Sequence, residues 1–233
     1  MGLCTFGFPL ESAQWLKERM NLDVFIEAGT YHGGSARQAS GIFQRVVTIE
    51  KSPQLFENAK KLLAVFGNIS CYLGCTRDHV VEHIDQSDHP LFWLDAHWSG
   101  GETAGRDDEC PLLDELKLIL AQGYPSLAIL IDDARLFTAP PPLPHSITAW
   151  PRLDQICAVI PNNFGVYIHD DVIFVIPVGL TDEFGEFLQA LTTQRWKAGN
   201  IKSPQYKRSI LSSLKRKLGA LNEAIKKKCN WIA

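Results

Sequence analysis

A chain of 233 residues, 45% hydrophobic and 21% charged, can bury one large α/β core and is too short for a second full domain. Its net charge of -3 conceals a polarised molecule: residues 1–196 hold 13 Lys and Arg against 25 Asp and Glu, and residues 197–233 hold 10 against 1, so the acidic body repels phosphates and no nucleic-acid partner is expected. No basic segment followed by a long apolar stretch opens the chain, no run approaches a membrane span, and the six cysteines (4, 71, 75, 110, 157, 229) show neither disulfide-framework nor zinc-pair spacing, which predicts a soluble cytoplasmic protein with free, buried thiols.

In chain order, a helical pattern over 10–20 precedes the apolar run 23–27 (DVFIE), which ends in Glu27. A glycine turn follows, Glu27, Gly29, Gly33 and Ser35 with Thr30 and Tyr31 inside it, and opens into a helix predicted over 34–43. The run 46–50 (VVTIE) ends in Glu50, and Ser52 and Pro53 start a helix predicted over 53–66. A third strand ends near Gly74, before a helix over 76–85, and the fourth (91–95, LFWLD) ends in Asp95. The polar, glycine-rich stretch 99–110 reads as a mobile lid, whose Asp107, Asp108 and Glu109 offset the positive start of a helix over 111–121. The fifth strand (128–132, AILID) ends in Asp132, a proline-rich flap covers 139–144, a helix covers 152–159, and strands at 164–169 and 172–176 form a hairpin around Asp170 and Asp171.

This alternation predicts a Rossmann-like, doubly wound α/β fold. It has a mostly parallel seven-stranded sheet with an antiparallel last strand and helices on both faces. The carboxyl ends of its parallel strands form one edge, where the first groups able to meet a ligand are the acids Glu27, Glu50, Asp95 and Asp132. The glycine spacing is not that of dinucleotide enzymes, and an acid at the strand end suits a cationic nucleoside better than a pyrophosphate. Glu50, 21 residues beyond Gly29, is placed to accept both ribose hydroxyls.

On Glu27, Gly29, Gly33 and Ser35 the chain resembles the class I S-adenosylmethionine-dependent methyltransferases over roughly residues 20–178. The resemblance implies that the turn binds S-adenosylmethionine, that Glu50 holds the ribose, and that Cys75 and Thr76 lie beside the adenine. Cys75 stands where the family often has an acid, so backbone amides take a larger part in that contact. Asp95, His97, Asp132 and Asp133 follow on adjacent strand ends, three carboxylates and one imidazole within reach of a single ion, and oxygen-rich sites of this kind suit Mg2+. The pattern resembles the metal-dependent O-methyltransferases of catechols, phenols and sugars. That resemblance implies Asp95, Asp132 and Asp133 as metal ligands and His97 as general base. The plainer alternative has Asp95 bonding the methionine amino group and Asp132 and Asp133 capping a loop or pairing with Arg135. The other histidines read as surface or loop residues, except His32 in the cofactor turn.

Residues 1–196 are thus expected to form the cofactor-binding domain, and 197–233 a basic extension. In the extension Leu211, Leu214, Leu218, Leu221 and Ile225 mark an amphipathic helix that can dock on the domain, pair with a second copy, or lie on an anionic membrane surface. The expected reaction is Mg2+-assisted methylation of a hydroxyl on a small-molecule or sugar-containing acceptor. Its rivals are a metal-independent transferase, in which His97 or Asp95 handles the proton, and a non-catalytic cofactor-binding scaffold.

Overall fold

The computed structural model describes residues 4–85, 88–98, 100 and 103–202. Strands β1 (Val24–Ala28), β2 (Arg45–Glu50), β3 (Ile69–Leu73), β4 (Pro90–Leu94), β5 (Ala128–Ile131), β6 (Phe164–His169) and β7 (Val172–Pro177) form one sheet in the order β3-β2-β1-β4-β5-β7-β6. The sheet is parallel from β3 to β5, and β7 runs antiparallel to both its neighbours. So short a connection between β6 and β7, turning through Asp170 at φ 54°, permits only antiparallel pairing; β7 sits inside the sheet beside β5, and β6 forms its edge.

Both faces are covered, which is why β1, β4 and β5 are apolar along nearly their whole length. On one face Ile26, Phe92 and Ile129 pack with Leu116 and Ile119 of α5 (Leu112–Leu120) and Ile156 of α7 (Leu153–Val159). On the other, Phe8 meets Phe25 and Trp93 edge-on, Phe25 meets Phe43, and Phe174 meets Phe184. Phe25, Trp93 and Phe174 are fully buried, each contributing roughly 1.5–3 kcal/mol.

Helices α1 (Leu10–Met20), α3 (Pro53–Leu63) and α4 (Thr76–His83) lie where the pattern predicts, and Ser52 caps α3 by accepting the Leu55 N–H. By contrast α2 (Gly34–Ala39) stops short of 43, where the Asn68 amide bonds the carbonyls of Ser40 and Phe43 and Gly41 ends the regular pattern. Two helices escaped the sequence reading. One is α6 (Ala134–Thr138), too short for periodicity; the other is α8 (Thr181–Lys202), whose pattern is interrupted by Gly185 and the pair Thr192 and Thr193. The cysteines described are free, but Cys4 and Cys157 are exposed and Cys71, Cys75 and Cys110 half-buried, so the expectation of buried thiols is corrected.

The sheet belongs to a compact unit from Cys4 to Phe184, and the described part of α8 from Gly185 belongs to a second unit. The 196/197 boundary falls within α8, and the amphipathic stretch 211–225 lies outside the described residues. Among the described residues no helix is long and apolar enough to cross a membrane.

Candidate functional site

Strand order reverses between β1 and β4, and at such a switch point neighbouring loops leave in opposite directions and open a crevice. A cavity of about 570 Å³ lies there. The β1 turn contributes Gly29 and Tyr31, β2 and its end Ile49, Glu50 and Lys51, the end of β3 Gly74, Cys75 and Thr76, and the end of β4 Asp95, Ala96 and His97. Thr103, Ala104, Asp108, Pro111 and Glu115 complete the wall.

Gly29 is the tightest point. At φ +92° a Cβ there would stand 2.4 Å from the Asp95 carbonyl oxygen, while backbone hydrogen bonds from Asp95 N–H to Ala28 and from Gly29 N–H to Ile49 hold the strand ends together. Gly29→Ala is expected to destabilise the fold by about 3 kcal/mol or more, read as a lowered denaturation midpoint. Beyond it Tyr31, left-handed at φ 47°, donates its N–H to Glu50 Oε2 at 2.9 Å, and Ser52 N–H donates to Glu50 Oε1 at 2.8 Å. The Glu50 side chain is thereby held in place at the cavity wall, each oxygen keeping a further acceptor direction.

The other residues of the turn stand beneath the cavity. Glu27 is buried and does not line it; its Oε2 accepts from Thr48 Oγ1 at 2.6 Å, which lies 2.6 Å from Thr30 Oγ1. Thr30, Gly33 and Ser35 likewise shape the turn without reaching the wall. Glu27 Oε1 has no hydrogen-bond partner among the described residues, and burial, outweighing hydrogen bonds from Thr48 and Ser35, raises the carboxyl pKa from 4.5 to about 7. Between those values the folded protein holds a proton that the unfolded chain has released. Stability should therefore fall as pH rises from 4.5 to about 7 and level off above it, by on the order of 3 kcal/mol from this group. Glu27→Gln should flatten that part of the slope in denaturation curves taken at pH 5 and pH 8.

Past the end of β4 His97, nearly buried, places Nε2 2.9 Å from Asp133 Oδ2 and Nδ1 3.5 Å from Asp95 Oδ1. Burial and the neighbouring charges of Asp132, Asp133 and Glu27 push the Asp95 carboxyl well above the ordinary range. Burial raises Asp132 too, although the Asp133 N–H donates to its Oδ1 at 2.8 Å. Burial works in the same direction on Asp133, but His97 and Arg135 outweigh it and hold that carboxyl low. The Asp133–Arg135 pair predicted as the plainer alternative is present at 2.7 Å, and Arg135 also pairs with buried Asp171. Asp95 and His97 line the main cavity; Asp132 lines only a small void beside it, and Asp133 neither. Among the described residues Asp95, Asp132 and Asp133 do not bring three ligand atoms within 4.8 Å of one another.

Two acids play parts the sequence reading did not give them. Glu109 is no helix-start charge: its carboxylate accepts from Trp150 Nε1 at 2.9 Å and Ser146 N–H at 3.2 Å and contacts His145, while its carbonyl accepts the Trp98 N–H, so it clamps the 103–110 segment to the end of the proline-rich flap. Glu115 lines the cavity from α5, buried, with Oε1 unpartnered among the described residues and its pKa raised by burial to about 7 despite a hydrogen bond from Thr76. Its signal was legible: an acid on the same helical stripe as Leu112, Leu116 and Ile119.

No family model and no curated protein matches the sequence. Solved structures do. The O-methyltransferase TomG from Streptomyces achromogenes, involved in tomaymycin synthesis and solved with S-adenosylmethionine, is 14% identical, with 75% of this chain and 82% of that one covered at a TM-score of 0.55. The methyltransferase PaMTH1 from Podospora anserina, bound to S-adenosylhomocysteine, is 20% identical over 74% and 80% at 0.53. An O-methyltransferase from Bacillus cereus in complex with S-adenosylhomocysteine is 15% identical over 73% and 82% at 0.53. At these identities the likeness is one of fold, and the fold is that of the class I S-adenosylmethionine-dependent methyltransferases.

Proposed function

We propose that this chain binds S-adenosylmethionine and transfers its methyl group to a hydroxyl of a small-molecule acceptor, sugar-containing metabolites included. The observation that carries this reading is the continuity of one cavity wall, from the Gly29 turn through Glu50 and Cys75 to Asp95 and His97. The chain's residues fit the cofactor: Glu50 presents acceptors for two hydroxyls, Gly29 leaves the backbone bare, and crowding among Asp95, Glu27 and Asp132 makes a cationic ligand favourable there. When bound, the cofactor supplies a methyl already activated on a sulfonium. The protein's share is alignment and handling of the acceptor proton, which His97 takes as the oxygen gains the methyl, with Asp133 and Asp95 facing the ring.

Mg2+ on Asp95, Asp132 and Asp133 is the alternative way to ionise the acceptor. The three carboxylates have the charge for it, but their oxygens do not converge and Asp133 is engaged by His97 and Arg135, which favours the metal-independent route. Turnover that survives chelation selects that route; turnover lost to chelation and restored by Mg2+ selects the metal. Calorimetry with S-adenosylmethionine and S-adenosylhomocysteine tests the whole reading, since failure to bind either overturns it. The domain assigned to 1–196 and the pairing of two copies through the basic segment after it belong to the same proposal, the latter read by sedimentation of the full chain.

A further inference from the structure

We propose that His79, Glu82 and His83, on the outer turn of α4, form a binding site for one divalent transition-metal ion of the zinc class. The two histidines stand one helical turn apart, at i and i+4, and Glu82 flanks them. His79 Nδ1 lies 3.1 Å from His83 Nε2, and Glu82 Oε2 lies 3.6 Å from the first and 3.7 Å from the second. Two ligand atoms each about 2.0–2.1 Å from a tetrahedral ion are separated by about 3.3 Å, so these three atoms approximate one face of a tetrahedral site. The fourth position is left to solvent.

The surroundings orient the ligands. His79 Nε2 lies 3.1 Å from the Leu73 carbonyl oxygen, which can only accept; in the neutral ring Nε2 therefore carries the hydrogen, and Nδ1 presents its lone pair to the site. A Cβ on Gly74 would lie 2.3 Å from that same Nε2, so glycine gives the His79 ring its place against the end of β3. Tyr72 stacks on His83 with ring centroids 3.6 Å apart and on His79 at 5.8 Å, holding both rings nearly parallel. Two imidazoles and one carboxylate suit zinc, nickel or copper(II) better than Mg2+. The site uses none of the residues assigned to methyl transfer, so it stands or falls independently of that reading.

Titrating the metal-free full-length chain calorimetrically with Zn2+ should show one saturable ion per chain, with a higher thermal midpoint when zinc is present. Glu82→Ala, at an exposed position, and His83→Phe, which keeps a ring on Tyr72, should each weaken binding at least about tenfold, while His89→Ala leaves it unchanged. No saturable binding to the wild type would overturn the site. So would equal affinity in Glu82→Ala, His83→Phe and wild type, which would send the ion to the thiols.

Discussion

Replacing His97 by Gln is expected to lower kcat by about 10²–10⁴-fold while leaving S-adenosylmethionine affinity within about threefold. The ring is nearly buried, faces Asp133 on one nitrogen and Asp95 on the other, and packs against Trp150 with centroids 5.2 Å apart. It is thus held in one orientation at the cavity wall, which suits the proposed role of proton acceptor. Glutamine preserves size and hydrogen bonding but cannot take the proton. Full turnover in this variant would remove His97 from the chemistry and pass the proton to Asp95, whose variant should then carry the loss. Steady-state kinetics with a hydroxyl acceptor, alongside cofactor calorimetry, separates the two.

Glu50→Ala should act on the opposite quantity, raising the dissociation constant for S-adenosylmethionine about 100-fold with little change in kcat at saturation. Its carboxylate does two things at once: it anchors the amides of Tyr31 and Ser52, and it offers the remaining acceptor directions to the cavity. A hydrogen bond to a charged acceptor contributes about 1.5–3 kcal/mol, and about 2.7 kcal/mol corresponds to that factor of 100. Glu50→Gln keeps one acceptor oxygen and should fall between. Wild-type affinity in Glu50→Ala would remove the ribose contact from this residue.

The fold was largely legible because its signals are periodic and repeated: apolar runs long enough to be strands, each closed by an acid, with helical patterns between them. The cavity edge followed from strand order, and Gly29, Tyr31, Glu50, Cys75, Thr76, Asp95 and His97 all reach the wall. The depth of a residue beneath that edge was not legible. Glu27 and Glu50 look alike as acids closing apolar runs, yet β1 extends one residue past Glu27 and turns it under the glycines, whereas β2 ends on Glu50. Asp133 shows the same limit: its backbone is left-handed and its side chain lies against both His97 and Arg135, and of these two contacts only the pair with Arg135 is expected from the sequence. The histidines of α4, read as surface residues, are stacked on Tyr72 because β3 and α4 meet at Gly74, a tertiary contact invisible in the linear pattern.

The Glu109 clamp ties two segments from distant parts of the chain into one unit. Its carbonyl holds the residue after His97, and its carboxylate holds Trp150 and Ser146 beyond the prolines. Of the two segments, only 103–110 lines the cavity, through Thr103, Ala104 and Asp108. Removing that one carboxylate is therefore expected to free the cavity-lining segment from a partner that never touches the cavity, an effect that substitutions confined to the wall would not reproduce.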